Sequence, residues 1–215
     1  MLARLIFAFF ALSFAASVQA QGRPLPGRDY VELQTAQPTE TGAKIEVVEF
    51  FWYRCPHCHA LDPALIPWVK KLPADTQFRL IPAIFNDEWA LDASVFYALE
   101  ATGNLEKLHH PLLDAIHKQG AANLKGATYM KWVSDWLAKQ GVEISKYDAA
   151  LHSFTVQSKI KRAAQIAQTY RLEGVPAIAV QGKYLVSGDA KTIFNVADYL
   201  IGESRRSGTG KAASK

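Results

Sequence analysis

The sequence contains only two cysteines and no excess of glycine or proline, and these absences narrow its class. Thirteen of the 215 residues are glycine and ten are proline, while 49% are hydrophobic, so collagen-like, low-complexity and disordered chains are excluded. No internal repeat and no glycine-rich phosphate-binding loop is present. With two cysteines in all, the chain is not a small scaffold held together by disulfides. Its length suits one domain, or one domain that carries an insertion.

A basic surface is also missing from the main part of the chain. The whole sequence carries 24 basic and 20 acidic side chains. One basic residue, Arg4, lies in the first twenty residues, and residues 203–215 hold four more against a single acid. Residues 21–202 are left with 19 basic and 19 acidic side chains, so no basic face is expected that would neutralise nucleic-acid phosphates.

The longest apolar run lies at the N-terminus. It extends from Leu5 to about Phe14, follows Arg4, and is succeeded by the small-residue ending Val18-Gln19-Ala20. This pattern predicts a secretory signal peptide over residues 1–20, cleaved after Ala20. A membrane anchor is the alternative, but the strongly apolar stretch is shorter than the roughly 20 residues that a span needs. We expect the mature protein to be soluble and exported.

Both cysteines lie in the tetrapeptide Cys55-Pro56-His57-Cys58. A disulfide between residues three apart encloses almost no loop and adds little stability, so the pair is predicted to act chemically rather than as a passive structural disulfide. A zinc cluster of Cys55, His57, Cys58 and His59 is a further alternative. Closed zinc sites usually use two separated pairs of ligands, and the other histidines show no such spacing. No metal site is therefore expected.

The residues around the cysteines predict a strand, the cysteine pair and then a helix. The dense apolar run 45–51 is typical of a strand buried on both faces, and Pro56 suits the first turn of a helix. A helix N-terminus stabilises a thiolate at Cys55, and His57 adds a hydrogen bond or a positive charge. Cys55 is therefore predicted to be the nucleophile and Cys58 the resolving thiol, with an oxidising disulfide.

Glu49 is the second residue of interest, because a carboxylate inside a buried strand is costly. It lies six residues before Cys55, so we expect it beneath the active-site helix. A buried carboxyl group with a raised pKa is able to exchange a proton with Cys58. The alternative is an ordinary glutamate at a strand end with its carboxylate in water.

A third feature lies far downstream. A helix is predicted over about 154–170, with Gly174 as its C-cap. Val175-Pro176 then opens a strand over 177–180, which forms a hairpin with a second strand over 184–187.

Together these features resemble the thioredoxin superfamily and, within it, the DsbA family of periplasmic thiol oxidases. The resemblance extends from about Lys44 to Tyr199. It is carried by Glu49-Phe50-Phe51, Cys55-Pro56-His57-Cys58, Tyr147-Asp148-Ala149-Ala150, Gly174-Val175-Pro176-Ala177 and Gly182-Lys183-Tyr184.

The resemblance implies an α/β protein with a thioredoxin fold and an inserted helical domain. Residues 21–85 and 153–202 are expected to form the thioredoxin-like domain, and residues 86–152 the inserted domain. Helices are predicted there over about 88–101, 105–119 and 128–139 and near Tyr147, with Trp132 and Trp136 in the core. Residues 203–215 are expected to form a disordered tail.

The resemblance also implies how the site works. The proline matching Pro176 is cis and faces the disulfide, and Val175 offers backbone groups that pair with an unfolded substrate. The membrane protein DsbB, which passes electrons to quinone, reoxidises the family's cysteine pair, and no bound cofactor or nucleic acid is involved. Some relatives pair the buried glutamate with a lysine on the strand after the active-site helix, where the nearest cation here is Arg79. We expect a monomer.

Three functions remain open at this point. The first is an oxidase that donates the Cys55–Cys58 disulfide to exported proteins with free cysteines. The second is a periplasmic disulfide isomerase or reductase, although residues 21–43 are too short for the dimerisation domain of such proteins. The third is a peptide-binding chaperone with a structural disulfide. Trp52 and Tyr53 fit either an apolar surface around the active site or packing between the two domains.

Overall fold

The structure of the protein is a computed structural model that describes residues 22–208. The predicted signal peptide lies outside the described residues. Within them, no helix combines the length and the apolar character that a membrane span requires.

Five strands and seven α-helices form the described chain. The strands are β1 (Val31–Glu32), β2 (Ile45–Phe51), β3 (Thr76–Pro82), β4 (Ala177–Val180) and β5 (Tyr184–Ser187). The helices are α1 (Pro56–Val69), α2 (Asp87–Ala101), α3 (Leu105–Lys118), α4 (Gly126–Lys139), α5 (Ile144–Leu151), α6 (Phe154–Thr169) and α7 (Ala190–Arg206). A short 3-10 helix, Ala121–Asn123, lies between α3 and α4.

Strand β2 is an inner strand of a five-stranded sheet with the order β1-β5-β4-β2-β3. It pairs in parallel with β3 and antiparallel with β4. All seven of its residues are buried, as its run of β-branched and aromatic side chains predicts for a strand covered on both faces. The chain enters the Cys55 turn directly from this strand.

Alternate residues of the strands divide the core into two layers. One layer joins a face of the sheet to α1 and α7 and includes Ile45, Val47, Leu61, Leu65, Ile178, Ile193 and Leu200. The other covers the opposite face with helices between β3 and β4 and includes Val48, Phe50, Phe96, Ala163, Ala177 and Tyr170. Because side chains alternate along a strand, Glu49 lies on the face of β2 that α1 covers, and Glu46 lies on the opposite face.

The secondary structure predicted between β3 and β5 is confirmed. Five helices, α2 to α6, lie between β3 and β4, and each overlaps a predicted helix. The hairpin strands β4 and β5 have the predicted bounds. Trp136 is 8% exposed and Trp132 packs against the same core, as predicted.

Two expectations about the C-terminal part were wrong. Helix α7 continues to Arg206, so residues 203–206 are helical rather than part of a disordered tail; residues 209–215 lie outside the described range. Helix α6 ends at Thr169, and the left-handed residue that follows it is Arg171, with a φ of 50°, rather than Gly174. Helix α7 itself was not identified from the sequence, although Asp189 caps it through the backbone N–H of Thr192.

Candidate active site

The turn between β2 and α1 places Cys55 at the N-terminus of the helix. The backbone N–H of Cys55 donates to the carbonyl oxygen of Trp52 at 3.0 Å. Pro56 begins α1. The backbone N–H at this position has no partner within a helix, so the absence of an N–H in proline costs no hydrogen bond. Cys55 is the N-cap residue, and its Sγ accepts a hydrogen bond from the backbone N–H of Cys58 at 3.4 Å. Cys58 lies one turn into the helix and is 1% exposed.

The two thiols, which are free in this structure, differ strongly in acidity. A hydrogen bond with the Cys58 side chain lowers the pKa of Cys55 from 9.0 to about 6, and the backbone N–H groups of Cys58 and His57 act in the same direction, against the effect of burial. The charge of the exposed His57 adds to this. Burial raises the pKa of Cys58 well above its ordinary value, and so does its hydrogen bond with Cys55. At neutral pH the pair is therefore a thiolate beside a buried thiol.

The loop before β4 brings Val175 and Pro176 to Cys55, 120 residues away in sequence. The peptide bond between them is cis, as the resemblance implies. Sγ of Cys55 lies 3.4 Å from the carbonyl oxygen of Val175, to which it donates a hydrogen bond only when the thiol is protonated. A cavity of about 590 Å³ opens beside the pair, with His57 and Leu61 in one wall and the Val175-Pro176 loop in another. The cysteine pair and the Val175-Pro176 segment, the first and third features that the sequence singled out, thus meet at one place.

Glu49 is buried on the α1 side of the sheet and is 3% exposed. Burial is the main cause that raises the pKa of its carboxyl group well above the usual range, and the charges of Asp62 and Cys55 add to it. Glu49 in turn raises the pKa of Cys58. This agrees with the prediction of a buried carboxyl group beneath the active-site helix and excludes the solvent-exposed alternative.

Arg79 does not pair with Glu49. In the β2–β3 ladder Arg79 lies opposite Val48, so its side chain lies on the sheet face that α1 does not cover. There it forms ion pairs with Glu46 at 3.0 Å and with Glu40 at 2.6 Å. Within residues 22–208, no ion pair to Glu49 is formed.

Arg54, next to the nucleophile, is a residue that the sequence analysis missed. Its side chain is 3% exposed and forms ion pairs with Asp92 at 2.8 Å and Glu88 at 3.0 Å, both on α2. Its guanidinium group also donates to the carbonyl oxygen of Leu124 at 2.7 Å and lies over the ring of Tyr129. Arg54 therefore ties the active-site turn to the helices between β3 and β4. The sequence offers no periodicity or motif that marks it.

The aromatic residues before Cys55 pack against the same helices. Tyr53 is fully buried. The ring of Trp52 stacks on that of Trp89 from α2, with centroids 4.2 Å apart, and its Nε1 donates to Asp92 at 2.8 Å. From the sequence, Trp52 and Tyr53 fit either an apolar surface around the active site or packing between domains. Their contacts support packing against the helices between β3 and β4.

Comparison with known proteins gives consistent matches over most of the chain. A family model described as the DSBA-like thioredoxin domain matches residues 74–200. A protein from Azotobacter vinelandii named thiol:disulfide interchange protein DsbA is 38% identical over 200 residues, which cover 91% of this chain and 92% of the relative. A protein of the same name from Pseudomonas aeruginosa is 38% identical over 183 residues and covers 83% of this chain and 85% of its own.

Solved structures agree with these matches. The crystal structure of Pseudomonas aeruginosa DsbA superposes with a TM-score of 0.77 at 36% identity, over 84% of this chain and 94% of that one. The crystal structure of the oxidoreductase DsbA from Xylella fastidiosa superposes with a TM-score of 0.79 at 32% identity, over 86% and 99% of the two chains.

Proposed function

The chain belongs to the DSBA-like thioredoxin family of thiol:disulfide oxidoreductases, and from that premise we propose that it donates a Cys55–Cys58 disulfide to newly exported proteins. The observation that carries this proposal is the unequal acidity of the two thiols. A cysteine with a pKa of about 6 stabilises the reduced form as a thiolate and makes a good leaving group. Both effects favour transfer of the disulfide to a substrate.

The transfer takes two exchange steps. A substrate thiolate attacks Sγ of Cys55, the substrate–Cys55 disulfide forms, and the Cys55–Cys58 bond breaks with Cys58 leaving as a thiolate. Because the pKa of Cys58 is high, this thiolate takes up a proton. A second substrate thiolate then attacks the substrate sulfur of the mixed disulfide, and Cys55 leaves as a thiolate. The substrate loses two electrons, which remain on the cysteine pair.

We assign supporting roles to five further residues. Glu49 supplies the proton that Cys58 takes up, and it accepts that proton when Cys58 attacks a mixed disulfide in the reverse direction. His57 and Pro56 shape the helix end that stabilises the Cys55 thiolate. Val175 and Pro176 present backbone groups to an extended substrate segment, a role that the 3.4 Å contact of the Val175 carbonyl with Cys55 supports.

The remaining parts of the proposal rest on the family and on the N-terminal sequence. The chain acts in the periplasm as a monomer after removal of the signal peptide over residues 1–20. Its substrates are unfolded exported proteins with free cysteines, and the membrane protein DsbB with quinone restores the disulfide. No bound cofactor and no metal ion takes part in the exchange, because the disulfide itself carries the two electrons.

A single-turnover experiment tests the proposed direction of transfer. The oxidised protein is mixed with one equivalent of a reduced, unfolded polypeptide that contains two cysteines. We expect the polypeptide to acquire one disulfide while the protein becomes a dithiol, as measured by acid quench and mass spectrometry. A polypeptide whose thiols stay unchanged, or a protein that only reduces disulfides under these conditions, would contradict the proposal.

Glu49→Gln is expected to slow the attack of Cys58 on a mixed disulfide. The amide cannot accept the Cys58 proton, and a positioned acid–base group typically contributes about 10²- to 10⁴-fold to a rate. We expect the rate to fall at least about tenfold near neutral pH, with the difference from the wild type shrinking at high pH as hydroxide replaces the missing base. Stopped-flow measurement of glutathione release from the Cys55–glutathione disulfide gives this rate.

Glu46→Gln is the matched control. Glu46 is also 3% exposed on β2, but it lies on the opposite face of the sheet and pairs with Arg79. Its loss is expected to leave the rate of glutathione release unchanged. Equal slowing in both variants would assign the effect to strand stability rather than to the Glu49 carboxyl group.

A further inference from the structure

Asp62 on α1 and the adjacent histidines His109 and His110 on α3 form a cluster that the proposed function does not use. Each offers one ligand atom, and these atoms all lie within 4.8 Å of one another. The sequence analysis found no partner spacing for the two histidines, because the third member comes from a different helix. Contacts between α1 and α3 bring the cluster together.

His110 and Asp62 are joined by a hydrogen bond, and a metal ion that both ligate needs the two atoms to move apart from 2.7 Å to roughly 3.3 Å, the edge of a tetrahedron with bonds of about 2.0–2.2 Å. Nδ1 of His110 lies 2.7 Å from Oδ1 of Asp62, so a single proton joins them. A divalent ion is able to replace that proton, since imidazole nitrogen and carboxylate oxygen both coordinate zinc at about 2.0–2.2 Å. The side chain of His110 is 37% exposed and that of Asp62 is 12% exposed, so an ion from solvent reaches them.

His109 supplies the third ligand. It is 3% exposed, and its ring packs edge-on against that of Phe51 with the centroids 4.9 Å apart. Nδ1 of His109 lies 3.1 Å from the hydroxyl oxygen of Tyr53. When Nδ1–H donates to that oxygen, the lone pair that a metal ion would use lies on Nε2. Metal-binding histidines commonly make such an outer hydrogen bond through the ring nitrogen that does not bind the metal.

A cavity provides the space for the remaining coordination positions. It has a volume of about 700 Å³, lies between α1, β3 and α3, and includes His109 and His110 in its wall. Glu106, one turn before His110 on α3, lines the same cavity. Asp62 does not line this cavity, so a water ligand would enter from the side of the two histidines.

From this geometry we propose that Asp62, His109 and His110 bind a divalent transition-metal ion of the zinc type. Two imidazoles and a carboxylate form a ligand set that suits zinc better than magnesium or calcium, which prefer all-oxygen sites. His109 and His110 take no part in the proposed disulfide transfer, so the His110→Asn variant tests the metal site separately from that reaction. Asp62 influences the transfer through its charge, which raises the pKa of Glu49.

Titration of the oxidised protein with Zn²⁺, followed by isothermal calorimetry, tests the site. In the oxidised protein the sulfur atoms of Cys55 and Cys58 are joined and do not compete as thiolates. We expect one ion per chain. His110→Asn and Asp62→Asn each remove a ligand and are expected to weaken binding on the order of a hundredfold. Tyr53→Phe removes the outer contact and is expected to weaken it about tenfold.

Two control variants and a spectroscopic probe make the result specific. His152→Asn changes an exposed histidine after α5, and His59→Asn changes a nearby histidine that pairs with Asp114; both are expected to bind Zn²⁺ as the wild type does. With Co²⁺, visible absorption bands of a tetrahedral site are expected in the wild type and absent in His110→Asn. The proposal is overturned by the absence of saturable binding up to about 1 mM. It is also overturned by binding that His110→Asn leaves intact or that His59→Asn abolishes.

Discussion

Cys55→Ser is expected to abolish disulfide transfer, with a loss of at least about 10³-fold in the rate of substrate oxidation. A serine hydroxyl neither forms a disulfide nor leaves as a thiolate, so the variant has no disulfide for a substrate thiolate to attack. The measurement is the single-turnover oxidation of a reduced two-cysteine polypeptide. Substantial oxidation of the polypeptide by Cys55→Ser would contradict the assignment of Cys55 as the nucleophile.

Two substitutions of Cys58 separate its role from that of Cys55. Cys58→Ser retains an O–H donor at the position whose hydrogen bond contributes most to the low pKa of Cys55, whereas Cys58→Ala removes it. We expect both variants to accumulate a stable mixed disulfide when mixed with glutathione disulfide, because no resolving thiol remains. The ultraviolet absorbance of the thiolate is expected to titrate at a higher pH in Cys58→Ala than in Cys58→Ser.

Arg54→Met is expected to lower the free energy of unfolding by about 3–5 kcal/mol. The substitution leaves Asp92, which is 1% exposed, as a buried carboxylate without its cation. It also removes the hydrogen bonds that join the active-site turn to Glu88 and Leu124. Urea unfolding of the reduced protein measures the loss.

Two further variants distinguish the buried charge from the loss of packing. Arg54→Met combined with Asp92→Leu removes both charges and is expected to recover part of the lost stability, as is typical of buried ion pairs. Arg205→Met breaks an exposed ion pair with Asp75 and is expected to change the unfolding midpoint little. A double variant no more stable than Arg54→Met would show that packing, rather than the unpaired carboxylate, dominates.

The sequence alone predicts correctly those elements of the structure that local residue patterns determine. The apolar run of β2, Pro56 at the start of α1 and the Val175-Pro176 hairpin all have strong local signals, and the structure has each of them. The acidity of Cys55 also follows from local geometry, because its main hydrogen-bond partners are within three residues of it.

What the sequence did not predict depends on contacts between distant elements. Arg54 acquires its partners from α2 and from Leu124, 70 residues away. The face on which Arg79 lies depends on the β2–β3 register, which no local pattern specifies. His110 meets Asp62 only because α3 packs on α1. Charged residues whose partners lie across the fold carry no periodic signal, so sequence analysis could not identify them.

The redox equilibrium with glutathione between pH 5 and pH 8 tests most directly whether the Cys55 thiolate makes the protein a disulfide donor. The pKa of Cys55 is lowered in the folded protein, so stabilisation of the reduced form is present above about pH 6 and is lost as the pH falls through that value. Reduction by glutathione then releases one proton above pH 6.

We therefore predict an equilibrium potential well above that of glutathione at pH 7. The equilibrium constant for reduction is expected to rise by about a factor of ten per pH unit above pH 6, and by about a hundredfold between pH 5 and pH 8. An equilibrium constant that does not change with pH, together with a potential near that of thioredoxin, would contradict the account and point to a reductase or isomerase.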